Sequence, residues 1–257
     1  MIPVQFKPVV HRYDCVDSTN DQLKQLALKG APEGTVVFAK EQTRGKGRLG
    51  RSWLSPRGGF YVSVILYPLT IRRITDLPFL VGVAVVQTLQ QFLPKSHHIS
   101  LKWPNDILVN NQKVAGILSE AFGDEKFYGG VIGVGLNVNV TAAQLNEFQQ
   151  KQFKATSLSI LLEGEATDIE EVFSVFQAKL FNLYRFYQEK GFAPIQALWE
   201  KNCGMLGKKI EVQGVEPKGS TVTGILWGIS DRGGLLLDIG QADKMEILSG
   251  ELTCCWY

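Results

Sequence analysis

The sequence predicts an α+β fold with two domains, one over residues 1–203 and a small all-β domain over residues 204–257. Two segments with helical periodicity, residues 75–93 and 167–190, alternate with short segments of strand character in the first part. After Gly204 the chain consists of short apolar segments separated by Gly and Asp, which is typical of a small β-domain. A chain of 257 residues is long enough for both.

The composition is that of an ordinary globular protein, with 45% hydrophobic residues. A net charge of +2 indicates no general attraction to polyanions. The longest apolar stretch, near residues 79–86, is too short to span a bilayer, and the N-terminus lacks the apolar core of a secretion signal. The four cysteines do not have metal-ligand spacing: they are Cys15, Cys203, Cys254 and Cys255. We expect them to be reduced thiols in a cytoplasmic protein.

The N-terminal elements are predicted from capping and periodicity. The stretch Ser18-Thr19-Asn20-Asp21 predicts the start of a helix that ends at Gly30. Residues 35–41 and 60–67 are predicted strands, because both are rich in β-branched and aromatic residues. A mostly apolar helix follows, predicted over residues 75–93 and opening near Pro78.

Four successive strands are predicted next, over residues 99–103, 107–110, 113–122 and 128–140, with a tight turn at Asn110-Asn111. Residues 167–190 are the clearest helix, predicted to be capped by Thr167 and Glu170. Its apolar face comprises Ile169, Val172, Phe173, Phe176, Leu180, Leu183, Tyr184 and Tyr187. A short helix over residues 194–201 precedes the domain boundary, which we expect near Cys203.

A glycine-rich basic segment, TRGKGRLGRSW (residues 43–53, hereafter the glycine-arginine loop), lies between the first two strands. Its six residues from Gly45 match the dinucleotide pattern G-x-G-x-x-G. However, Pro56 and Gly58-Gly59 prevent the helix that such a site requires, and the acidic residue expected about twenty positions later is missing.

The charge of this segment indicates an anion. Residues 41–57 carry five basic residues and one Glu. We expect a mobile loop whose glycines allow close backbone approach, and whose side chains Lys46, Arg48 and Arg51 meet phosphate oxygens. Taken alone, the segment also fits a solvated basic turn or an RNA-contacting loop.

A second group of polar residues, KWPND (residues 102–106), follows a predicted strand. A lysine, an amide and a carboxylate together suit a nucleoside triphosphate with its metal, because Lys102 can meet phosphate while Asn105 and Asp106 hold Mg²⁺ or orient the glycine-arginine loop. A polar turn is the alternative. Lys113 opens the next strand, near Gly116. The third candidate motif is GVGLN (residues 133–137), a Gly-x-Gly within a predicted strand.

Taken together, these stretches resemble biotin–protein ligases in order and spacing: Ser18-Thr19-Asn20, Gln42, the glycine-arginine loop, KWPND, Lys113-x-Ala-Gly and GVGLN. The resemblance implies a mixed sheet with helices packed on one face and a small C-terminal β-barrel. It also implies an ATP-dependent ligase that makes biotinyl-5′-AMP and transfers biotin to a lysine of a biotin carboxyl carrier protein. The early position of Ser18 favours the monofunctional type without a DNA-binding module.

The resemblance also implies the roles of individual residues. The expected biotin-binding residues are Ser18, Thr19, Asn20, Gln42, Gly45, Lys46, Gly47, Arg48, Trp53, Lys113, Gly116, Gly133 and Gly135. The expected ATP-binding residues are Arg48, Arg51, Trp53, Lys102, Asn105, Asp106, Lys113 and Asn137. Lys113, Arg48 and Lys102 are expected to be catalytic, since cations offset the repulsion between two anionic reactants. Asn105 and Asp106 are candidate Mg²⁺ ligands.

Three other functions compete with this one. A lipoate or octanoate protein ligase or transferase of related fold is the nearest, although KWPND favours biotin. An RNA-binding protein is disfavoured because the loop lacks aromatic residues interleaved with its charges. A ligand-binding regulator without turnover is the third. We expect a homodimer that binds neither nucleic acid nor membrane. Residues 251–257 contain no basic residue, which leaves the contribution of the small domain to ATP binding open.

Overall fold

The computed structural model describes residues 8–123, 128–147, 154–215 and 219–256, without the side chains of residues 71–72 and 254–256. Two β-sheets organise this chain. The strands of the first are β1 (Val10–Tyr13), β2 (Val36–Ala39), β3 (Phe60–Leu66), β4 (Ile99–Lys102), β5 (Asp106–Val109), β6 (Gln112–Gly123) and β7 (Tyr128–Leu136). The strands of the second are β8 (Lys209–Val215), β9 (Ser220–Ile229), β10 (Leu235–Asp238), β11 (Met245–Ile247) and β12 (Glu251–Trp256).

The helices lie between these strands and after β7. They are α1 (Thr19–Leu28), α2 (Leu77–Phe92), α3 (Ala142–Glu147), α4 (Leu158–Leu161), α5 (Ile169–Lys190) and α6 (Ala193–Lys201). Short 3₁₀ helices occupy Arg48–Gly50 and Ile71–Asp76. The predicted elements are found in the predicted order, with helix bounds within two residues of the expectation, whereas β1, α3 and α4 were not predicted.

The first sheet is mixed, in the order β1-β2-β3-β7-β6-β5-β4. Strands β1 and β2 are parallel, whereas the other neighbours are antiparallel. The second sheet is antiparallel, in the order β11-β10-β9-β8-β12. The predicted α+β class, with a separate C-terminal β-unit, is confirmed.

The main core lies on one face of the first sheet. Alternate residues of β3, from Phe60 to Leu66, pack with α2 and α5, as the period of two in a strand requires. The predicted apolar face of α5 is buried except for half-buried Ile169 at its start. The cap of α5 differs from the prediction: Asp168, not Thr167, accepts from the Glu170 amide, because Thr167 is bound through its backbone to Asn139.

One helix departs from the expectation that the helices pack on one face. Helix α1 packs on the opposite face of the sheet, where Leu23 and Ala27 contact Val37 and Ile65 in a second, smaller cluster. Ser18 caps this helix, since its hydroxyl accepts from the Asp21 amide. The start of α1 is thereby fixed against the centre of the sheet.

The second sheet is attached to the first through the turn between β9 and β10. Trp103 Nε1 donates to the Gly233 carbonyl at 3.2 Å, and Gln196 Nε2 donates to the Ile229 carbonyl at 2.6 Å. A Cβ atom on Gly233 would lie 2.7 Å from the Phe79 ring, so only glycine fits without movement. Because α6 ends at Lys201 and β8 begins at Lys209, the boundary between 203 and 204 remains a prediction within this connection.

Two expectations about environment concern cysteines and membranes. Cys15 and Cys203 are free thiols, while the side chains of Cys254 and Cys255 lie outside the described part of the chain. None of the helices formed by the described residues has the length and apolarity needed to cross a membrane.

Asp76, directly before α2, is a buried carboxyl that generates a prediction about pH. Tyr187 donates to it at 3.0 Å and Arg73 lies 3.4 Å away, yet burial raises its pKa from 3.8 to about 6. The Asp76 carboxyl therefore binds a proton more tightly in the folded protein than in the unfolded chain. The stability gained from this group is complete below about pH 4 and is lost as the pH rises through about 6. We expect Asp76→Asn to stabilise the protein by about 1–3 kcal/mol near pH 8.

Urea unfolding of both proteins between pH 4 and pH 8 checks this. The two curves should converge towards the acidic end. A parent that is the more stable protein at the alkaline end, or a difference that does not change with pH, contradicts the assignment.

Candidate active site

A cavity of about 810 Å³ lies between the first sheet, the glycine-arginine loop and the start of β12. Every residue predicted for a site from the sequence lines it. These are Ser18, Thr19, Asn20, Gln42, Gly45, Lys46, Gly47, Arg48, Arg51, Trp53, Lys102, Asn105, Asp106, Lys113, Gly116, Gly133, Gly135 and Asn137. Residues spread over more than a hundred positions thus converge on one space, and their individual roles remain predictions.

One end of the cavity is a network of neutral polar groups at the start of α1. Gln42 Oε1 accepts from both the amide and the hydroxyl of Thr19, at 2.8 and 3.1 Å. Ser63 Oγ lies 2.8 Å from Thr19 Oγ1 and 2.6 Å from Asn20 Oδ1. Because these groups hold one another in place, the hydroxyls and amides are oriented before a ligand arrives.

Three residues that hydrogen-bond to this end were not predicted from the sequence, and of these only Ser55 lines the cavity. Ser63 is a fully buried polar residue in the apolar strand FYVSVIL, and this exception was the one local indication of a role. Ser55 accepts from Gln42 Nε2 at 2.8 Å, and Glu120 accepts from Asn20 Nδ2 at 2.7 Å. Their sequence neighbourhoods contain no recognisable pattern.

The glycines at the centre make room for side chains of the site. A Cβ atom on Gly133 would lie 2.3 Å from Asn20 Oδ1, and one on Gly135 would lie 2.3 Å from Trp53 Nε1. A Cβ atom on Gly116 would likewise lie 3.1 Å from the Trp53 ring. These glycines line the cavity as predicted, and they also allow Asn20 and Trp53 to lie directly on the sheet.

The glycine-arginine loop is a hairpin across the cavity. Lys46 and Ser52 form a β-bridge, the Gly47 amide donates to the Arg51 carbonyl at 2.7 Å, and the Trp53 amide donates to the Gly45 carbonyl at 2.9 Å. Leu49 at the tip has positive φ and is largely exposed. The mobility that the glycines suggest stays a prediction, because the structure shows one ordered form.

Most cations around the cavity are paired with carboxylates. In the loop, Arg44 pairs with Asp17, Lys46 with Asp21 at 2.6 Å, and Arg51 with Glu251 of β12. Lys113 pairs with Asp106 at 2.6 Å, and its ammonium lies 5.2 Å from the centre of the Trp53 ring. These contacts fix where the positive charges stand.

Arg48 differs from its neighbours. Within the described ranges it makes no ion pair, and burial lowers its pKa, an effect that the nearby Asp106 charge opposes. Asp106, which we expected to hold Mg²⁺ or orient the glycine-arginine loop, does not pair with Arg48, because Lys113 occupies that carboxylate. A partly desolvated guanidinium interacts strongly with an incoming anion.

The KWPND corner lies at the far end of the cavity. Lys102 is buried at the end of β4. Asn105 Nδ2 donates to the Ile117 carbonyl at 2.8 Å, so that its carbonyl oxygen is the atom left for a ligand. Asn137 Nδ2 donates to the Thr156 carbonyl at 3.0 Å, which fixes this side chain at the wall of the cavity, and its role in ATP binding stays a prediction. The cavity therefore joins a neutral polar end to a cationic end.

Comparison with known proteins gives a consistent result. Residues 13–137 match the profile of the Biotin/lipoate A/B protein ligase family. A bifunctional ligase/repressor of Bacillus subtilis is 36% identical over 248 residues, which cover 93% of this chain and 72% of the relative. The biotin–[acetyl-CoA-carboxylase] ligase of Paracoccus denitrificans is 32% identical over 240 residues, covering 92% and 96%.

A solved structure extends the likeness to three dimensions. The biotin protein ligase of Aquifex aeolicus, in complex with biotin and ATP, is similar to this chain with a TM-score of 0.76 at 31% identity. The alignment covers 96% of this chain and 98% of the other. Both sheets therefore have counterparts in a known ligase.

The close approach of Gly135 to Trp53 generates a prediction. A methyl group at position 135 would overlap the indole, so Gly135→Ala should displace Trp53 and cost about 1–3 kcal/mol of the free energy of unfolding. Trp53→Ala removes the overlap, and in that background Gly135→Ala should cost almost nothing. Urea unfolding of the four proteins measures this coupling. Equal costs in both backgrounds would show that Gly135 is needed for another reason.

Proposed function

This chain belongs to the biotin–protein ligase family, and from that premise we propose how its cavity performs the reaction. The protein is an ATP-dependent ligase that activates biotin as biotinyl-5′-AMP and transfers it to a lysine of a carboxylase carrier domain. The observation that carries the assignment of the cavity is its division into a neutral polar end and a cationic end within one space of about 810 Å³.

Biotin has two chemically distinct parts that fit these two ends. Its uncharged ureido ring offers both donors and acceptors, which suits the network that Thr19 and Gln42 form with Ser63 at the neutral end. Its carboxylate then points to the cationic end, where Lys113 stands beside Asp106. The neutral end binds and orients biotin, whereas the cationic end meets the triphosphate.

Adenylate formation requires two anions to react. A carboxylate oxygen of biotin attacks the α-phosphorus, the bond to the bridging oxygen of pyrophosphate breaks, and pyrophosphate leaves with that electron pair. Arg48, Lys102 and Lys113 offset the repulsion and stabilise the charge that develops on the phosphate oxygens. Positioning and charge suffice for this step, and no residue needs to form a covalent bond with biotin.

Transfer uses the same cavity. The neutral amine of the carrier lysine attacks the acyl carbon, AMP leaves with the electron pair of the broken bond, and the proton that the amine loses passes to solvent. Because water competes for the same anhydride, the glycine-arginine loop excludes it by covering the cavity.

Magnesium fits this site in a limited way. The described residues contain no group of three or more His, Cys, Asp or Glu that could hold a metal by themselves. Mg²⁺ commonly enters with phosphates and one or two carboxylates, and Asp106 with the Asn105 oxygen would meet that need. When bound, the ion would offset phosphate charge. Asp106 would then have to share its charge with Lys113.

We also propose the organisation of the protein. Residues 1–203 form the ligase domain and residues 204–257 the small domain, and the protein acts in the cytoplasm as a homodimer. The β4 edge of the first sheet is covered in part by residues 202–203, so that, judged from the described residues alone, β1 is the more accessible edge for a second copy. Sedimentation velocity measures this state. A monomer at high concentration would contradict the homodimer without affecting the reaction.

The reaction itself is tested by ATP–pyrophosphate exchange with biotin, with lipoate and without either acid. We expect exchange when biotin is present, and no exchange with lipoate or without an acid. Lipoate is the second candidate because the matching family profile includes lipoate ligases. Exchange that depends on lipoate would move the protein to that activity, and binding of biotin without exchange would leave a ligand-binding regulator.

Lys113 stands between the two reacting anions in this account. Its cation acts most strongly in the transition state, so Lys113→Ala should slow adenylate formation by about a hundredfold or more, with a smaller effect on biotin binding. Single-turnover rates and calorimetric biotin titration separate the two effects. A normal rate would show that Lys113 only supports Asp106.

Arg48 lies at the centre of the loop. Arg48→Gly removes a charge-assisted contact worth about 1.5–3 kcal/mol and should weaken closure over the adenylate. Adenylate that escapes acylates accessible lysines, so this variant should biotinylate bystander proteins. Arg57→Gly is the matched control, because Arg57 pairs with Glu41 outside the cavity. Retention of the adenylate by Arg48→Gly as long as by the parent would contradict the closing role.

A further inference from the structure

The second sheet reaches the cavity through one charged side chain. Glu251 begins β12 and forms an ion pair with Arg51, the last cation of the glycine-arginine loop. Its neighbour Leu252 is buried and lines the same cavity. A carboxylate at the edge of a site for two anions is unfavourable in itself, which indicates that it acts on Arg51 and not on the ligand.

Arg51 connects this carboxylate to the centre of the loop. Its side-chain Nε donates to the Arg48 carbonyl at 3.3 Å, and its own amide donates to the same oxygen at 3.1 Å. One guanidinium group therefore contacts both Glu251 and the backbone of Arg48. Arg51 thereby links Glu251 to the backbone of Arg48.

Glu251 is well placed to serve as a fixed point. Strand β12 is paired with β8, where Glu251 lies opposite Gln213 and Leu252 opposite Val212. The preceding Gly250 has a φ of 149°, and a Cβ atom there would lie 2.8 Å from the Gln213 carbonyl. The backbone at this point is thus held closely by its neighbour.

The other side of the loop is fixed in a similar way. Lys46 pairs with Asp21 at the start of α1, while Arg44 pairs with Asp17. The loop is therefore held between α1 on one side and the second sheet on the other. Arg48 lies between these two attachments and keeps its guanidinium for a ligand.

We propose that Glu251 is a positioning residue for the ATP half of the reaction: it holds Arg51, and through Arg51 it places Arg48 at the phosphate. The small domain thus affects ATP use without contributing a cation of its own. This inference rests on the proposed function. The expected change in KM for ATP is opposite in sign to that of a direct electrostatic effect. Removing a negative charge beside the site would by itself strengthen ATP binding, whereas the loss of positioning weakens it.

The test uses Glu251→Gln in the full chain and measures KM for ATP and for biotin by pyrophosphate exchange. Partly exposed ion pairs change equilibrium constants by up to about fivefold, so we expect KM for ATP to rise about three- to fivefold, with KM for biotin unchanged. Asp238→Asn is the matched control: it removes the ion pair with Lys244 in the same sheet, at similar exposure and outside the cavity. It should change neither constant.

A double-mutant cycle with Arg51→Gln tests the route. If Glu251 acts through Arg51, adding Glu251→Gln to Arg51→Gln should raise KM for ATP no further. An unchanged or lowered KM for ATP in Glu251→Gln, an equal rise for biotin, or full additivity with Arg51→Gln overturns the inference. Absence of biotin-dependent exchange in the parent would instead overturn the proposed function.

Discussion

The repulsion between two anionic reactants is the constraint on which the cavity depends. A carboxylate and a triphosphate approach each other only where fixed positive charge surrounds them, and unpaired cations close together would destabilise the folded protein. The structure resolves both demands by giving most cations a carboxylate partner: Arg44 with Asp17, Lys46 with Asp21, Arg51 with Glu251 and Lys113 with Asp106. The positive groups are thereby held in place before a substrate binds.

The fold supplies these partners from separate elements. The start of α1 and the residues before it hold one side of the loop, β5 provides Asp106, and β12 provides Glu251. The second sheet also contacts KWPND, because Trp103 donates to the Gly233 carbonyl in the turn between β9 and β10. Among the described residues, the small β-domain contributes no basic side chain to the cavity. It can still influence the reaction through these contacts.

The sequence predicted much of this arrangement, but it did not predict residues whose partners lie on distant strands. Helical periodicity placed α5, and the combination of glycine-arginine loop, KWPND and GVGLN identified residues that all line one cavity. Ser63 could not be assigned, because its role arises from the register that sets it opposite Gly133. Glu251 was missed for the same reason, since its partner Arg51 lies two hundred positions away and only tertiary packing joins them. Local patterns report local chemistry, whereas partners across sheets depend on the fold.

The glycines show how one residue type served two purposes. Their absence of side chains suggested close approach of the backbone to a ligand, and Gly133 and Gly135 do line the cavity. Their more immediate effect is to admit Asn20 and Trp53 onto the sheet, at distances where a methyl group would overlap. A motif glycine can therefore be required by a neighbouring side chain of the protein as well as by a ligand.

We propose that pre-positioned cations bring the two anions together. A crystal structure with biotin and a non-hydrolysable ATP analogue tests it directly. The account predicts that Arg48 and Lys113 lie within hydrogen-bonding distance, about 3 Å, of phosphate or carboxylate oxygens, while Arg51 still contacts Glu251. A triphosphate bound away from the glycine-arginine loop, with Arg48 directed to solvent, would contradict it.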